Sequence, residues 1–375
     1  MDVCLVMIVK NEAERIRRTL ESAARFCSRA LILDTGSTDG THAVIREWAG
    51  QDYSIPTQIA RAIIEPWSYA EARNKALEEA RKAWPSCLWC LFLDVDNALE
   101  GDPQEFQRAV GDLTGKAADI QIVHAGLTYV QTRLVRNAPN APRYVGRVHE
   151  YLDHVPEGPP VPGIAVRLLD GGPADAERRR ARQLRFDLPI LLEETIDKPE
   201  DCRALFYLAQ TLAELGEYRQ AEAYYQRRVN AIGWDEERFE AQLRVGEMRA
   251  RQGKPWPEVM EAYILAHGLA PTRAEPLHLI AHHYLVEGNW PLVYSFGLGA
   301  WKRPAPHSRL FVRPWSYGWA VPDLVSVAAW RVGKWLEGLY ATLDALDKDP
   351  PETDKARILK NLEYYRGEIA KGVDK

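Results

Sequence analysis

The stretch LFLDVDNALE, residues 91–100, joins an apolar run to two aspartates, Asp94 and Asp96, that are one residue apart. The run from Leu88 to Leu93 has the length and composition of a buried strand. Two like charges at the end of such a strand each raise the cost of ionising the other. A hard divalent cation such as Mg²⁺ or Mn²⁺ offsets that cost, because it binds carboxylate oxygens together with substrate phosphates. The alternative is a solvated turn at the strand end.

Two other acidic motifs can be tested against the same residues. A calcium loop starting at Asp94 would have Glu105 at its twelfth position, but it needs glycine where Leu99 stands. A phosphatase motif of the form D-x-D-x-T needs threonine where Ala98 stands. A dinucleotide fold is disfavoured, since no G-x-G-x-x-G follows the first strand. The pair therefore favours a cation site of another kind, or a plain turn.

The sequence before this stretch alternates between strand and helix patterns. Apolar runs predict strands at 3–9, 30–34, 58–64 and 88–93. Capping boxes at Asn11–Glu14 and Ser68–Glu71 predict the starts of the first and third helices between them. This order predicts a parallel sheet with right-handed crossovers, which binds ligands beyond the carboxyl ends of its strands. Asp34 and Asp94 both stand at such ends.

The rest of the chain changes character twice. Residues 119–170 have mixed strand patterns, and a basic helical segment follows. From residue 200 the pattern is helical, with glycines spaced 37, 35 and 45 residues apart, each followed by an aromatic residue. The glycines are Gly216, Gly253, Gly288 and Gly333, and the aromatics are Tyr218, Trp256, Trp290 and Trp335. A period near 34 is typical of tetratricopeptide-like repeats. We predict domains at 1–172 and 200–375 joined by a helical connector at 173–199.

Bulk properties limit the protein class. The net charge of −5 excludes a polycation, so any contact with nucleic acid would have to be local. No apolar stretch approaches the ~20 residues that span a bilayer, and the start of the chain does not have the form of a signal peptide. These features predict a cytoplasmic protein without a transmembrane segment. Cys87 and Cys90 lie within the predicted strand, which favours core packing over zinc or redox chemistry.

Five segments in order resemble the family 2 glycosyltransferases with a GT-A fold. They are MIVKNEAERI, LDTGSTDGT, WSYAEARNKAL, LFLDVDN and GRVHEYL. The resemblance extends to a bacterial and phage subgroup in which this α/β nucleotide-diphospho-sugar transferase domain precedes an all-α tetratricopeptide-like repeat domain. It implies an inverting, metal-dependent transfer from a nucleotide-diphosphate sugar, expected to be a UDP-sugar, with Mn²⁺ or Mg²⁺ as cofactor.

The resemblance also implies roles for individual residues. Asp34 would accept a hydrogen bond from the base, and Arg73 would reach the base or the diphosphate. Asp96 would bind the metal, with Asp94 reaching the ribose or, through water, the metal. Glu150 would be the general base, with His149 beside it. The remaining predicted nucleotide-sugar contacts are Ile8, Val9, Lys10, Asn11 and Val95. Alternatives stay open: a capping aspartate, a solvated helix arginine and a surface carboxylate, respectively, for Asp34, Arg73 and Glu150.

Two departures from the family pattern concern the metal. Many relatives have a histidine after the next strand, but the corresponding stretch here is VRLLDGGP. Asp170 would have to replace it as an oxygen ligand, or the third ligand is missing. The usual D-x-D-E is D-V-D-N in this chain, with Asn97 at its last position.

The acceptor follows least directly from the sequence. Repeat solenoids present concave surfaces, which favours a protein, peptide or glycan acceptor. An alternative is a hydroxymethylated base in DNA, because basic and aromatic residues alternate in the extra residues of the third repeat interval. Candidate acceptor residues are Arg309, Arg313, Trp315, Tyr317 and Trp319, with phosphate contacts from Arg178, Arg179, Arg180, Arg182 and Arg185. These side chains could instead pack the repeat insert. A non-enzymatic repeat scaffold with a degenerate sugar-nucleotide fold is the third hypothesis.

Overall fold

The computed structural model describes residues 2–124, 127–169 and 172–373. The chain divides into two compact units, Met1–Glu193 and Glu194–Lys375. None of the described helices is both long and apolar enough to cross a membrane.

The first unit begins with alternating strands and helices. They are β1 (Val3–Val9), α1 (Ile16–Ala23), β2 (Arg29–Asp34), α2 (Thr41–Ala49), β3 (Thr57–Arg61), α3 (Tyr69–Ala83) and β4 (Trp89–Phe92). The four strands are parallel in the order β3-β2-β1-β4, which confirms the prediction from the apolar runs. β1 and β4 are buried along almost their whole length, because the sheet is covered on both faces.

The second half of this unit completes a mixed eight-stranded sheet. Its elements are β5 (Asn97–Glu100), α4 (Pro103–Asp112), β6 (Ala117–His124), β7 (Leu127–Arg136), β8 (Tyr144–Val145), β9 (Tyr151–Leu152) and β10 (Ala165–Leu168). The sheet order is β3-β2-β1-β4-β7-β6-β10-β5, with β7 antiparallel to both of its neighbours. β8 and β9 form a separate small hairpin. The arrangement is a GT-A-like sheet, as predicted.

One of the two predicted capping boxes is correct. The Ser68 side chain accepts a hydrogen bond from the Glu71 N–H at 3.3 Å and starts α3. The box at Asn11–Glu14 is wrong. Helix α1 begins only at Ile16, without a side-chain cap, because the Asn11 side chain is used to bind a neighbouring loop.

A basic helical segment follows β10. It consists of α5 (Gly172–Arg182), a π-helical turn (Gln183–Asp187) and α6 (Leu188–Asp197). The boundary between the two units falls within α6.

The second unit is a series of antiparallel helix pairs. The pairs are α7 (Cys202–Glu214) with α8 (Tyr218–Asn230), α9 (Asp235–Arg251) with α10 (Trp256–Leu269), α11 (Glu275–Glu287) with α12 (Trp290–Ala300), and α13 (Ala320–Arg331) with α14 (Trp335–Asp347). Helix α15 (Glu352–Val373) follows them. Each of the four predicted glycines lies in the turn of one pair with a φ between 69° and 87°, and each predicted aromatic starts the next helix. Glycine is favoured there because a Cβ disfavours the left-handed region. The predicted tetratricopeptide-like repeat is confirmed.

Candidate active site

Two loops at the carboxyl ends of β1 and β2 are bound to each other. Asn11 has a φ of 57°, and its Oδ1 accepts a hydrogen bond from the Thr38 N–H at 2.7 Å. The Asn11 N–H in turn donates to Ser37 Oγ at 3.0 Å. The Asp39 carboxylate accepts from the Ala13 N–H at 3.2 Å. Asn11 and Asp39 thus stabilise the loops around the end of β2.

Asp34, at the end of β2, is 2% exposed and is bound by its own loop. Its Oδ1 accepts from the N–H groups of Gly36 at 3.3 Å and Ser37 at 2.9 Å. Its Oδ2 lies 2.7 Å from His42 Nε2. Burial acts to raise the pKa of Asp34, but the hydrogen bonds from Ser37 and His42 outweigh it, and the pKa is lowered. A carboxylate has about four acceptor positions, so one remains for a donor such as a base N–H.

Helix α3 binds the segment that leads to Glu150. The Tyr69 N–H donates to the Arg147 carbonyl at 3.0 Å. The Asn74 side chain accepts from the Tyr144 N–H and donates to the Tyr144 carbonyl, each at 2.9 Å. Two sequence motifs, WSYAEARN and GRVHE, are therefore in direct contact, and the first turns of α3 hold residues 144–150.

Arg73 bridges two acidic residues of the predicted site. Its side chain is 8% exposed, its Nε donates to Glu150 Oε1, and its Nη2 donates to Asp94 Oδ1 at 2.8 Å. The guanidinium carbon lies 5.5 Å from the ring centroids of Phe92 and Tyr144. The alternative of a solvated helix arginine is therefore wrong. Arg73 links the D-V-D stretch to the candidate base.

Asp94 has a second cationic partner that the sequence did not reveal. Arg133 of β7 is 9% exposed, and its Nη1 donates to Asp94 Oδ2 at 2.8 Å. Burial acts to raise the pKa of Asp94, but the charges of Arg73 and Arg133 outweigh it and hold the pKa far below its usual value. Both carboxylate oxygens of Asp94 are thus bound by arginines, which places its charge in an ion-pair network.

Asp96 has a different environment. Its Oδ1 accepts a hydrogen bond from Asn97 Nδ2 at 2.9 Å, and it forms no ion pair with any described residue. Burial and then the charge of Asp94 raise its pKa. A bound cation would relieve both effects, so Asp96 fits a metal ligand. Within residues 2–124, 127–169 and 172–373 no group of three or more His, Cys, Asp or Glu could hold a metal. The predicted ligand Asp170 lies outside the described residues.

The other predicted nucleotide-sugar residues surround the same strand ends. Ile8 is half-buried and Val9 buried at the end of β1, whereas Lys10 is exposed. The buried Val95 is anchored through its carbonyl, which accepts a hydrogen bond from Thr19 Oγ1 at 2.6 Å. His149, beside Glu150, has a φ of 47°.

Helix α5 brings positive charge towards these carboxylates. Arg178 Nη2 lies 2.7 Å from Glu14 Oε2 in the β1–α1 loop, and Arg182 Nε lies 3.5 Å from Asp187. Burial acts to lower the pKa of Arg182, but the groups around it, among them Asp96, outweigh it and raise the pKa. Two arginines considered for DNA phosphates thus have partners in the first unit.

Residues 301–319 pack against α9 and α11 in the helical unit. Arg313 is 3% exposed, and its guanidinium donates to Glu240 at 3.0 and 3.1 Å and to Glu247 at 2.9 Å. The Tyr317 hydroxyl donates to Glu275 at 2.5 Å. These two candidate acceptor residues therefore bind side chains of their own unit, as the packing alternative requires.

The other three candidate acceptor residues differ in exposure. The Arg309 N–H donates to Glu236 at 2.9 Å, and Trp319 is half-buried at the start of α13. Trp315 is 42% exposed, with its ring centroid 4.9 Å from that of His278. Trp315 is the one member of this group of five with an exposed side chain.

Comparison with known proteins gives a family for the first unit. Residues 4–157 match the model of "Glycosyl transferase family 2". The lipopolysaccharide core biosynthesis glycosyltransferase LpsC of Rhizobium meliloti is 33% identical over 25% of this chain and 31% of its own length. The glycosyltransferase SunS from the SPbeta prophage of Bacillus subtilis is 23% identical over 60% of this chain and 52% of its own length. A TPR repeat-containing protein of Synechococcus elongatus is 25% identical over 80% of this chain and 69% of its own length. This chain thus spans about a third and about half of the first two relatives.

Proposed function

Because residues 4–157 form a glycosyl transferase family 2 domain, we propose that this chain transfers a sugar from a nucleotide-diphosphate sugar to an acceptor hydroxyl, with inversion at the anomeric carbon. The observation that carries the proposal is the convergence of Asp94, Asp96 and Glu150 in this domain, with Arg73 between the first and the last of them. A degenerate scaffold would have no reason to retain such a cluster of acids. A UDP-sugar is the donor that we propose first.

We propose that Asp96 binds Mn²⁺ or Mg²⁺. The support is its carboxylate, which has no ion-pair partner among the described residues and a raised pKa. The cation would neutralise charge on the departing diphosphate. The other ligands would come from the diphosphate and water. Asp94 contributes charge to the site, since its two oxygens bind Arg73 and Arg133.

An inverting transfer also requires a base that takes the proton of the acceptor hydroxyl. Glu150 is our candidate. Its Oε1 accepts a hydrogen bond from the buried Arg73, which fixes the position of the carboxylate. Helix α3 holds residues 144–150 beside the strand ends through one backbone hydrogen bond, from Tyr69 to Arg147, and two between the Asn74 side chain and the backbone of Tyr144.

For the acceptor we propose a protein, peptide or glycan, since helical repeats commonly present surfaces for other macromolecules. Glycosylation of a modified DNA base is the second candidate, favoured by the basic and aromatic residues of 301–319. The internal ion pairs of Arg313 weaken that candidate.

The test offers the purified protein UDP-glucose, UDP-GlcNAc and GDP-mannose with Mn²⁺ against three acceptors: hydroxymethylated DNA, a peptide mixture and a glycan. Mass spectrometry identifies which acceptor gains a sugar. Gain on a peptide or glycan supports the proposal, and gain on DNA alone supports the second candidate. Failure to bind any donor, measured by calorimetry, would contradict both.

A further inference from the structure

Arg73 lies at the centre of the ion-pair network and contacts both the D-V-D stretch and the candidate base. Its Nη2 donates to Asp94 and its Nε donates to Glu150. The side chains of Arg73 and Glu150 are 8% and 12% exposed. Because the pair is shielded from solvent, its charges act on each other more strongly than they would at the surface.

The geometry points to Arg73 as a positioning residue: it holds the Glu150 carboxylate in place, and Asp94 acts on Glu150 through Arg73. This inference rests on the proposed role of Glu150 as general base. It differs from the expectation that Arg73 binds the donor and that Asp94 binds the ribose. Loss of Arg73 should therefore lower kcat while leaving donor binding nearly unchanged.

Three features fix Arg73 in this position. The Ser68 cap starts α3 one turn before it, and the next residue, Asn74, binds both backbone groups of Tyr144. The guanidinium lies against the rings of Phe92 and Tyr144, each at 5.5 Å. Asp94 is in turn held by Arg133 at 2.8 Å. Arg73 and its partner Asp94 are thus each held by further contacts.

Arg133 offers a matched comparison. Like Arg73, it is buried and donates to one oxygen of Asp94 at 2.8 Å. The Nε of Arg133 donates to Gln131, whereas the Nε of Arg73 donates to Glu150. Removing either arginine takes one cation from Asp94, but only removal of Arg73 takes the cation from Glu150. A difference between the two variants therefore reports on the contact with Glu150.

The test measures kcat and donor KM for the wild-type protein, Arg73→Met and Arg133→Met, with the nucleotide sugar that the wild type hydrolyses fastest. For Arg73→Met we expect kcat to fall ten- to a hundredfold, since a well-placed base contributes about 10²–10⁴. Donor KM should change less than about threefold.

Arg133→Met should lower kcat less than Arg73→Met does, because it leaves the hydrogen bond from Arg73 to Glu150 in place.

Equal losses of kcat in both arginine variants, or a loss of donor affinity in Arg73→Met that accounts for its lower activity, would overturn the inference. If Arg73→Met does not fold, Arg73→Lys provides the test, since lysine keeps the charge but cannot donate in two directions with fixed geometry. A normal kcat in Arg73→Lys would show that donation by Arg73 to both Asp94 and Glu150 is not needed, and would contradict the inference. The proposed function is tested separately by Glu150→Gln. Normal turnover in Glu150→Gln would contradict the role of Glu150 as the general base. An inactive Glu150→Gln together with an unaffected Arg73→Met would contradict only the positioning role of Arg73.

Discussion

At the scale of single residues, Asp96 should determine whether the metal and the donor bind together. Asp96→Ala removes the carboxylate that has no ion-pair partner among the described residues. We expect Mn²⁺-dependent affinity for the donor to fall at least about tenfold, or ~1.4 kcal/mol. Titration calorimetry with the nucleotide sugar, with and without Mn²⁺, measures it. The exposed Asp112 provides the control Asp112→Ala, and equal donor affinity in both variants would contradict the metal role.

Glu150 should affect turnover and leave donor binding intact. Glu150→Gln keeps the size of the side chain but removes its ability to accept a proton as a carboxylate. We expect kcat to fall about 10²–10⁴-fold with an unchanged donor dissociation constant. The exposed Glu157 provides the control Glu157→Gln. If both variants transfer sugar at the wild-type rate, Glu150 is not the base.

The sequence predicted several members of this site but not their contacts. Asp94, Asp96, Arg73 and Glu150 were all found from local motifs. Arg133 was missed because its proximity to Asp94 depends on the pairing of β4 with β7, in which Leu91 lies opposite Leu134. That pairing joins residues about forty positions apart, and no local pattern specifies it. The arginine partners of Asp94 could therefore be found only in the structure.

At the scale of helices and strands, replacing a glycine in a repeat turn by alanine should change the stability of the helical unit in the opposite direction from replacing a glycine inside a helix. Gly288 ends α11 with a φ of 72°, whereas Gly268 lies within α10 with nothing near its absent Cβ. We expect Gly288→Ala to destabilise the helical unit by about 1–2 kcal/mol. Gly268→Ala should stabilise it by about 0.5–1 kcal/mol, since alanine loses less backbone entropy in a helix. Urea unfolding of both variants measures this, and the same sign for both would contradict the repeat geometry.

The contact between α11 and residues 301–319 should make the free energy of unfolding of the helical unit depend on pH. His278 is 4% exposed and lies 3.1 Å from Ser316 Oγ. Burial, and then the charge of His282, lower its pKa from 6.5 to about 4. The lowered pKa favours the neutral ring in the folded state. The stability contribution is therefore complete above pH 6.5 and is lost as the pH falls towards 4, in total about 3 kcal/mol.

The measurement is the free energy of unfolding at several pH values between 6.5 and 4.5. His278→Gln should flatten the slope of this free energy, and the exposed His307 provides the control His307→Gln. An unchanged slope in His278→Gln would show that the ring is not held neutral.

Elements were predictable where one short-range pattern determines them. The glycine turns were found because the left-handed conformation favours glycine at a fixed position in each repeat. Strand β5 was missed, because NALE follows the aspartates with no turn signal and becomes a strand only by pairing with β10. The cap at Asn11 was predicted wrongly, since its side chain binds Thr38, which is 27 residues away.

At the scale of the whole molecule, the chain combines a first unit whose residues 4–157 match the family 2 glycosyl transferase model with a tetratricopeptide-like unit. The order of the two units could be predicted from the sequence, because alternating strand and helix patterns give way to purely helical patterns along it. The acceptor cannot be predicted from the sequence in this way. The exposure of the residues proposed to contact it depends on how they fold. Arg313 and Trp315 are two positions apart, yet one is 3% and the other 42% exposed.

The most direct test of glycosyl transfer is release of the nucleoside diphosphate from a nucleotide sugar. The wild-type protein and Asp96→Ala are incubated with UDP-glucose, UDP-GlcNAc and GDP-mannose, with Mn²⁺ or with a chelator, and the diphosphate is quantified. We predict release from at least one donor by the wild-type protein with Mn²⁺, and strongly reduced release with the chelator or in Asp96→Ala. No release by the wild-type protein from any donor, or equal release by Asp96→Ala, would contradict the account.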